Sequence, residues 1–198
     1  MVKDIKSVIA NLLAFYDFRD KTIISVGAGG GQFIEYGRAA GKIIAVDNDP
    51  SAMEKLRASL KLSGLENKFT IVLEDFVRTV LRGDAVLFEF CLHEMKEPEA
   101  AIKHAKALAP DVIVLDHWPG SEWSYMTAEE AKVAASWQAL MHFAMKKEQK
   151  HDIVHAFKDY QELYEKVKGQ GETSIARIAK YMGKTDIVIP MSYGLALI

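Results

Sequence analysis

The chain has 198 residues, 49% apolar and 26% charged, with a formal net charge of -2, values that sit on the averages for folded globular domains. They exclude a disordered chain, which needs fewer apolar residues and more net charge, and 13 Gly with 5 Pro exclude collagen-like and low-complexity classes. Near-neutral charge argues against an electrostatically driven nucleic-acid binder, and the one cysteine, Cys91, excludes a disulfide framework and a CxxC-based zinc site.

At this length one domain spanning residues 1–198 is expected. The opening stretch MVKDIKSVIANLLAFYDF is amphipathic, carries Asp4, and lacks the apolar core and small-residue cleavage site of a secretory signal. No run approaches the roughly 20 apolar residues of a membrane span. A lone thiol fits a reducing cytoplasm, which is the expected location, with no membrane partner. Next come five short Val/Ile-rich runs, at 22–26, 42–46, 69–73, 85–89 and 112–115. Each is nearly continuous in apolar character, which predicts strands covered on both faces. Between them, 32–40, 50–62, 76–81 and 98–108 have helical spacing; Pro50 and Pro98 suit a first helical turn, and Gly41 and Gly64 suit terminators. This βαβα alternation predicts a parallel sheet with helices on both sides.

After Pro119 the pattern changes. Residues 127–149 read as one long helix, opened by a Thr127/Glu130 capping box. A second helix is expected over 153–167, giving a helical insertion of about 121–168. The tail fits either a helix or a strand at 173–182; the preferred reading is a closing β-hairpin with 183–186 near its turn. The fold class expected is α/β: a Rossmann-like three-layer sandwich with a mostly parallel seven-stranded sheet, a C-terminal antiparallel hairpin and added helices after strand five.

The densest motif is TIISVGAGGGQFIEYG, residues 22–37. Glycines at a strand end let a ligand approach the backbone, and a helix behind them would offer free N–H groups to an anionic end. A dinucleotide loop reads G-x-G-x-x-G/A; here the sixth position is Gln32, and the glycines fall at Gly27, Gly29 and Gly31. Asp47 closes the second predicted strand in IIAVDNDP, where a carboxylate can accept both ribose hydroxyls; this suits NAD and S-adenosylmethionine equally. LEDF follows at 73–76 and DAVLFEFCLHEM at 84–95.

Together these motifs resemble those of the class I S-adenosylmethionine-dependent methyltransferases over about residues 20–120. The resemblance implies S-adenosyl-L-methionine as cofactor. It places the methionyl part on Gly27, Ala28, Gly29 and Gly31, the ribose on Asp47 with Asn48 beside it, and the adenine on Asp75 and Phe76. Phe88, Glu89 and Phe90 would flank the methionyl arm, with His93 and Glu94 toward the acceptor. The N-terminal helix, with Phe15 and Tyr16, would be a lid. Subfamilies that methylate nucleic-acid amino groups carry an Asn/Asp-Pro-Pro-aromatic motif after strand four. Here that place reads Glu89-Phe90-Cys91-Leu92, so a small-molecule acceptor is expected and a nucleic-acid partner is not.

Displacement at a sulfonium needs alignment above all, and a base only when the acceptor must lose a proton. The candidates are His93 after strand four and Asp116 and His117 after strand five, histidine's ordinary pKa near 6.5 suiting the task. Trp118, Trp123 and Tyr125, then Trp137 and Phe143, either wall a planar acceptor or attach the added helices to the body. His151 and His155 stand four apart, but no carboxylate or cysteine pattern completes a metal site and none is expected. Three other readings stay open: an NAD(P)-linked oxidoreductase, a non-catalytic cofactor-binding module, and a non-methyl transfer such as that of an aminocarboxypropyl group. The oligomeric state is open too, a homodimer among the options.

Overall fold

In the computed structural model, which describes residues 5–198, the apolar runs form the centre of the molecule. The first four residues of the amphipathic opening stretch, Asp4 among them, lie outside the described residues. In chain order the elements are α1 (Ile5–Phe15), β1 (Thr22–Val26), β2 (Lys42–Asp47), α2 (Pro50–Ser63), β3 (Phe69–Leu73), β4 (Ala85–Glu89), α3 (Pro98–Leu108) and β5 (Asp111–His117). They continue with α4 (Glu122–Met126), α5 (Glu130–Leu140), β6 (Lys147–Asp159), α6 (Tyr160–Val167), α7 (Glu172–Ile178) and β7 (Thr185–Leu197).

The seven strands form one sheet in the order β3-β2-β1-β4-β5-β7-β6. The first five are parallel, and β7 runs antiparallel to both β5 and β6. Successive side chains leave a strand on opposite faces, and both faces here are covered. Ile23, Leu87, Ile113 and Leu115 join one apolar cluster with α1, α2 and α6. Ile24, Val86, Val112 and Val114 join the other with α3 and α5. That is why β1, β4 and β5 show no polar alternation. The strand order reverses where β1 lies between β2 and β4, and in open α/β sheets a ligand crevice forms at the carboxyl ends there. Among the described residues, no helix is long and apolar enough to cross a membrane.

Helices 50–62 and 98–108 form as α2 and α3, each with Pro in its first turn, and Gly64 closes α2 in the left-handed region. Two others shrink. Residues 32–40 give only a 3₁₀ turn, Ile34–Arg38: at Gly37 a Cβ would meet the Phe69 ring at 2.6 Å, and a glycine inside a helix costs up to about 1 kcal/mol against alanine. Residues 76–81 give a 3₁₀ turn, Phe76–Arg78, capped by Asp75.

The expected long helix 127–149 is broken. Thr127 closes α4 instead of opening a helix, its hydroxyl donating to the Glu129 carboxylate at 2.6 Å, and Ala128 is left-handed at φ 59. No capping box forms, and α5 ends at Leu140. The expected helix 153–167 is a strand up to Asp159 and a helix only from Tyr160. The insertion of 121–168 is therefore not all helical. The closing hairpin exists, but its arms are β6 and β7. Residues 173–182 form α7 and a 3₁₀ turn, and 183–186 lead into β7 with Gly183 and Asp186 at positive φ.

Candidate functional site

β1 ends at Val26 and the chain turns back on itself through Gly27–Gly31. Gly27 has φ 71, and a Cβ there would collide with Cys91, whose Sγ would lie 2.6 Å away. The Cys91 thiol donates to the Val26 carbonyl at 3.1 Å, and burial pushes its pKa up; it is a packed group, not a nucleophile. Asp47, at the end of β2, ties the loop down. Its carboxylate accepts the Gly29 N–H at 2.9 Å and the Asp49 N–H at 3.0 Å. The helix expected behind the glycines is the five-residue 3₁₀ turn, so the loop's own backbone faces the crevice.

Two cavities meet at Gly27. The larger, about 300 Å³, is lined by Asp47, Asn48, Glu74, Asp75, Phe76 and Glu94, among others. The smaller, about 240 Å³, is lined by Gly27–Gly30, Gln32, Phe33, Glu89, Phe90 and His117, and closed by Trp123, His155, Lys166 and Met191. Phe33 and Phe90 stack at 5.5 Å on one side of it, and Trp123 stacks on His155 at 4.2 Å on the other.

Glu89 lies between the sheet and the glycine loop. Its Oε1 accepts from Ser25 Oγ at 2.5 Å and from the Tyr36 hydroxyl at 2.7 Å. Burial raises its pKa to about 7, against the lowering effect of those two donors.

Beyond it, Asp116 is fully buried and gathers three donors: the His93 and His117 backbone N–H groups at 2.9 and 2.8 Å, and His93 Nδ1 at 2.6 Å. Burial works against an imidazolium at His93, but Asp116, Glu94 and Glu129 outweigh it and raise the pKa to about 10. Burial lowers His117 to about 4, and the neighbouring His93 charge adds to this; its Nδ1 has no hydrogen-bond partner. The two rings are 5.2 Å apart. Glu129 is raised, first by burial and then by Glu94. Glu94 is lowered by His93, with Lys132 adding to this.

Of the candidates read from the sequence, Gly27, Ala28, Gly29, Glu89, Phe90 and His117 line the smaller cavity, and Asp47, Asn48, Asp75 and Phe76 the larger. Phe88, Gly31, His93, Glu94 and α1 are placed elsewhere. Phe88 is fully buried edge-on against Phe76, because it points to the opposite face of β4 from Glu89. Gly31 backs onto Leu56 of α2. His93 lines neither cavity, being buried on Asp116, and Glu94 lies in the larger cavity instead of beside the smaller. α1 lines neither cavity; its Val8, Ile9, Leu12 and Phe15 are core.

His155, Lys166 and Met191, none of them a candidate from the sequence, also line the smaller cavity. They come from β6, α6 and β7, and only a correct β assignment of 147–159 brings them to the crevice. The alternation His151, Ile153, His155, Phe157 was the available signal. His151 and His155 share no metal-binding group; the one group of closely set donors among the described residues is His93, His117 and Glu129.

Residues 24–114 match a family model described as a methyltransferase domain. A search of curated proteins finds no match. Among solved structures, the chain is similar to the YcgJ protein of Bacillus subtilis, with a TM-score of 0.71 at 13% identity over 97% of this chain and 96% of that one. It is similar to a SAM-dependent methyltransferase from Aquifex aeolicus, with a TM-score of 0.63 at 15% identity over 99% and 89%. It is also similar to a magnesium protoporphyrin IX methyltransferase from Synechocystis with bound SAH, with a TM-score of 0.59 at 14% identity over 97% and 80%.

Proposed function

We propose that this chain, whose residues 24–114 match a methyltransferase-domain model, is a class I S-adenosylmethionine-dependent methyltransferase that transfers a methyl group to a small-molecule acceptor by in-line displacement. The observation that carries this is the pair of cavities joined at Gly27. The larger suits the nucleoside: Asp47 for the ribose hydroxyls, Asp75 for the adenine amino group, Phe76 against the ring. The glycine loop and the Glu89 carboxylate suit the amino-acid end. The smaller cavity, walled by Phe90, Trp123, His155 and Met191, is shaped for a compact, partly planar acceptor.

The bound cofactor supplies a methyl group already activated by a sulfonium. The rest falls to the chain, which binds, aligns and excludes water; alignment alone can contribute several kcal/mol. Of the three candidate catalytic side chains, His117 is the one that lines the smaller cavity. As a neutral imidazole it can take a proton from an acceptor that must lose one. Asp116 and His93 act through it: Asp116 fixes the His117 backbone and holds the His93 ring beside the His117 ring. The sequence acts as one unit in this scheme, because the cofactor end of the crevice comes from β1–β4 and the acceptor end from β5 onward.

The test is ligand discrimination by thermal shift. S-adenosylhomocysteine at a hundred times its Kd stabilises by about 2.7 kcal/mol, roughly 5–10 °C for a chain of this size. NADH should leave Tm unchanged. A shift with NADH and none with S-adenosylhomocysteine overturns the reading. Labelled methyl transfer across an acceptor panel then identifies the product.

A further inference from the structure

We propose that His93, His117 and Glu129 form a binding site for a divalent transition-metal ion of the zinc type. Each comes from a different stretch of chain: the 3₁₀ turn after β4, the end of β5, and the residue that leads into α5. One ligand atom from each lies within 4.8 Å of the others, and all three residues are buried. Separations of this size close to a tetrahedral site, in which bonds of about 2.0–2.2 Å set donors roughly 3.3 Å apart.

The surroundings orient the donors as a metal site requires. His93 Nδ1 is bound to the Asp116 carboxylate at 2.6 Å, which turns Nε2 toward Glu94 Oε1 at 3.5 Å and Glu129 Oε2 at 4.0 Å. A carboxylate behind a histidine is the usual second layer of a metal-bound imidazole. Glu129 Oε2 is held by the Thr127 hydroxyl at 2.6 Å. His117 is 8% exposed and its Nδ1 is without a partner. Glu94 is tied by its other oxygen to Lys132 at 2.9 Å, so it stands beside the set more than within it.

Burying the Asp116 and Glu129 carboxylates together is costly unless positive charge compensates them. Two imidazoles and one carboxylate select zinc-type ions over magnesium or calcium, which prefer all-oxygen shells. Such a set leaves a fourth position, and His117 puts the ion at the wall of the smaller cavity. That an acceptor oxygen or sulfur occupies the fourth position rests on the proposed function; binding of the ion does not. With the ion bound, His117 is a ligand and no longer a proton acceptor.

The test uses the full chain, stripped with chelator and titrated with Co²⁺, read by visible absorption, with metal content measured on the unstripped protein. Wild type should bind one equivalent with the intense visible bands of a tetrahedral site, displaced by Zn²⁺. Glu129→Gln and His117→Ala should lose those bands, and Asp116→Asn should bind about 10- to 100-fold more weakly. S-adenosylhomocysteine calorimetry on each variant shows that the fold and the cofactor site persist. A cofactor-competent wild type that gives no saturable Co²⁺ spectrum overturns the proposal. So does a spectrum that survives unchanged in both Glu129→Gln and His117→Ala. Failure of cofactor binding in wild type overturns the methyl-transfer reading instead and leaves the metal titration as it stands.

Discussion

Glu89, proposed above for the amino-acid end of the cofactor, carries a cost to the fold. Its carboxyl is buried against Ser25 and Tyr36, and its pKa stands at about 7 against an ordinary 4.5. The folded state therefore holds this proton over a pH range in which the unfolded chain has released it. The stability contributed is complete below pH 4.5 and is lost as pH rises through about 7. At about 1.4 kcal/mol per unit the loss is on the order of 3 kcal/mol. Glutamine keeps an acceptor for both hydroxyls and cannot ionise. In urea unfolding from pH 4 to 8, wild type should lose stability across this window and Glu89→Gln should lose about 2–3 kcal/mol less. Parallel profiles for the two proteins would show that Glu89 titrates normally.

At the scale of elements, the parallel half was legible and the antiparallel half was not, for a physical reason. β1, β4 and β5 are covered on both faces, so burial writes itself into the sequence as unbroken apolar runs. β6 is an edge strand that pairs only with β7; its Glu148, Lys150 and Asp152 are exposed, as charged residues on edge strands are to block further pairing. The same charges hid the strand behind the expected helices 127–149 and 153–167, and the rings stacked around His155 went unseen with it. The glycines and Asp47 were legible because their chemistry is local. The grouping of Glu129 with His93 was not, since it depends on the left-handed turn at Ala128. What seats the hairpin on the sheet is a close approach: at Gly194 a Cβ would meet Trp118 at 2.6 Å as well as Trp137. Trp137 Nε1 in turn donates to the His117 carbonyl at 2.6 Å. Gly194→Ala should therefore cost about 1–3 kcal/mol by overpacking, a fall in Tm of roughly 2–12 °C read by calorimetry. An unchanged Tm would mean that the two indoles move aside freely and do not fix the hairpin.

Across the whole molecule, the proposed function assigns two tasks along the width of the sheet. β1 to β4 carry the loop, Asp47, Asp75 and Phe76, all within residues 24–114 matched by the methyltransferase-domain model. The wall opposite the loop, with Trp123, His155, Lys166 and Met191, comes from the chain beyond that match. If this division holds, cofactor affinity and acceptor affinity respond to different substitutions although the two cavities share Gly27. Hydrogen bonds to a charged group contribute about 1.5–3 kcal/mol, so Asp47→Asn should weaken S-adenosylhomocysteine binding by roughly 10- to 100-fold in calorimetry. Trp123→Phe keeps an aromatic ring against His155 and should hold that Kd within about twofold, while raising KM for the acceptor once one is found. If Trp123→Phe weakens S-adenosylhomocysteine as strongly as Asp47→Asn does, the smaller cavity is part of the cofactor site and the acceptor must enter from another side.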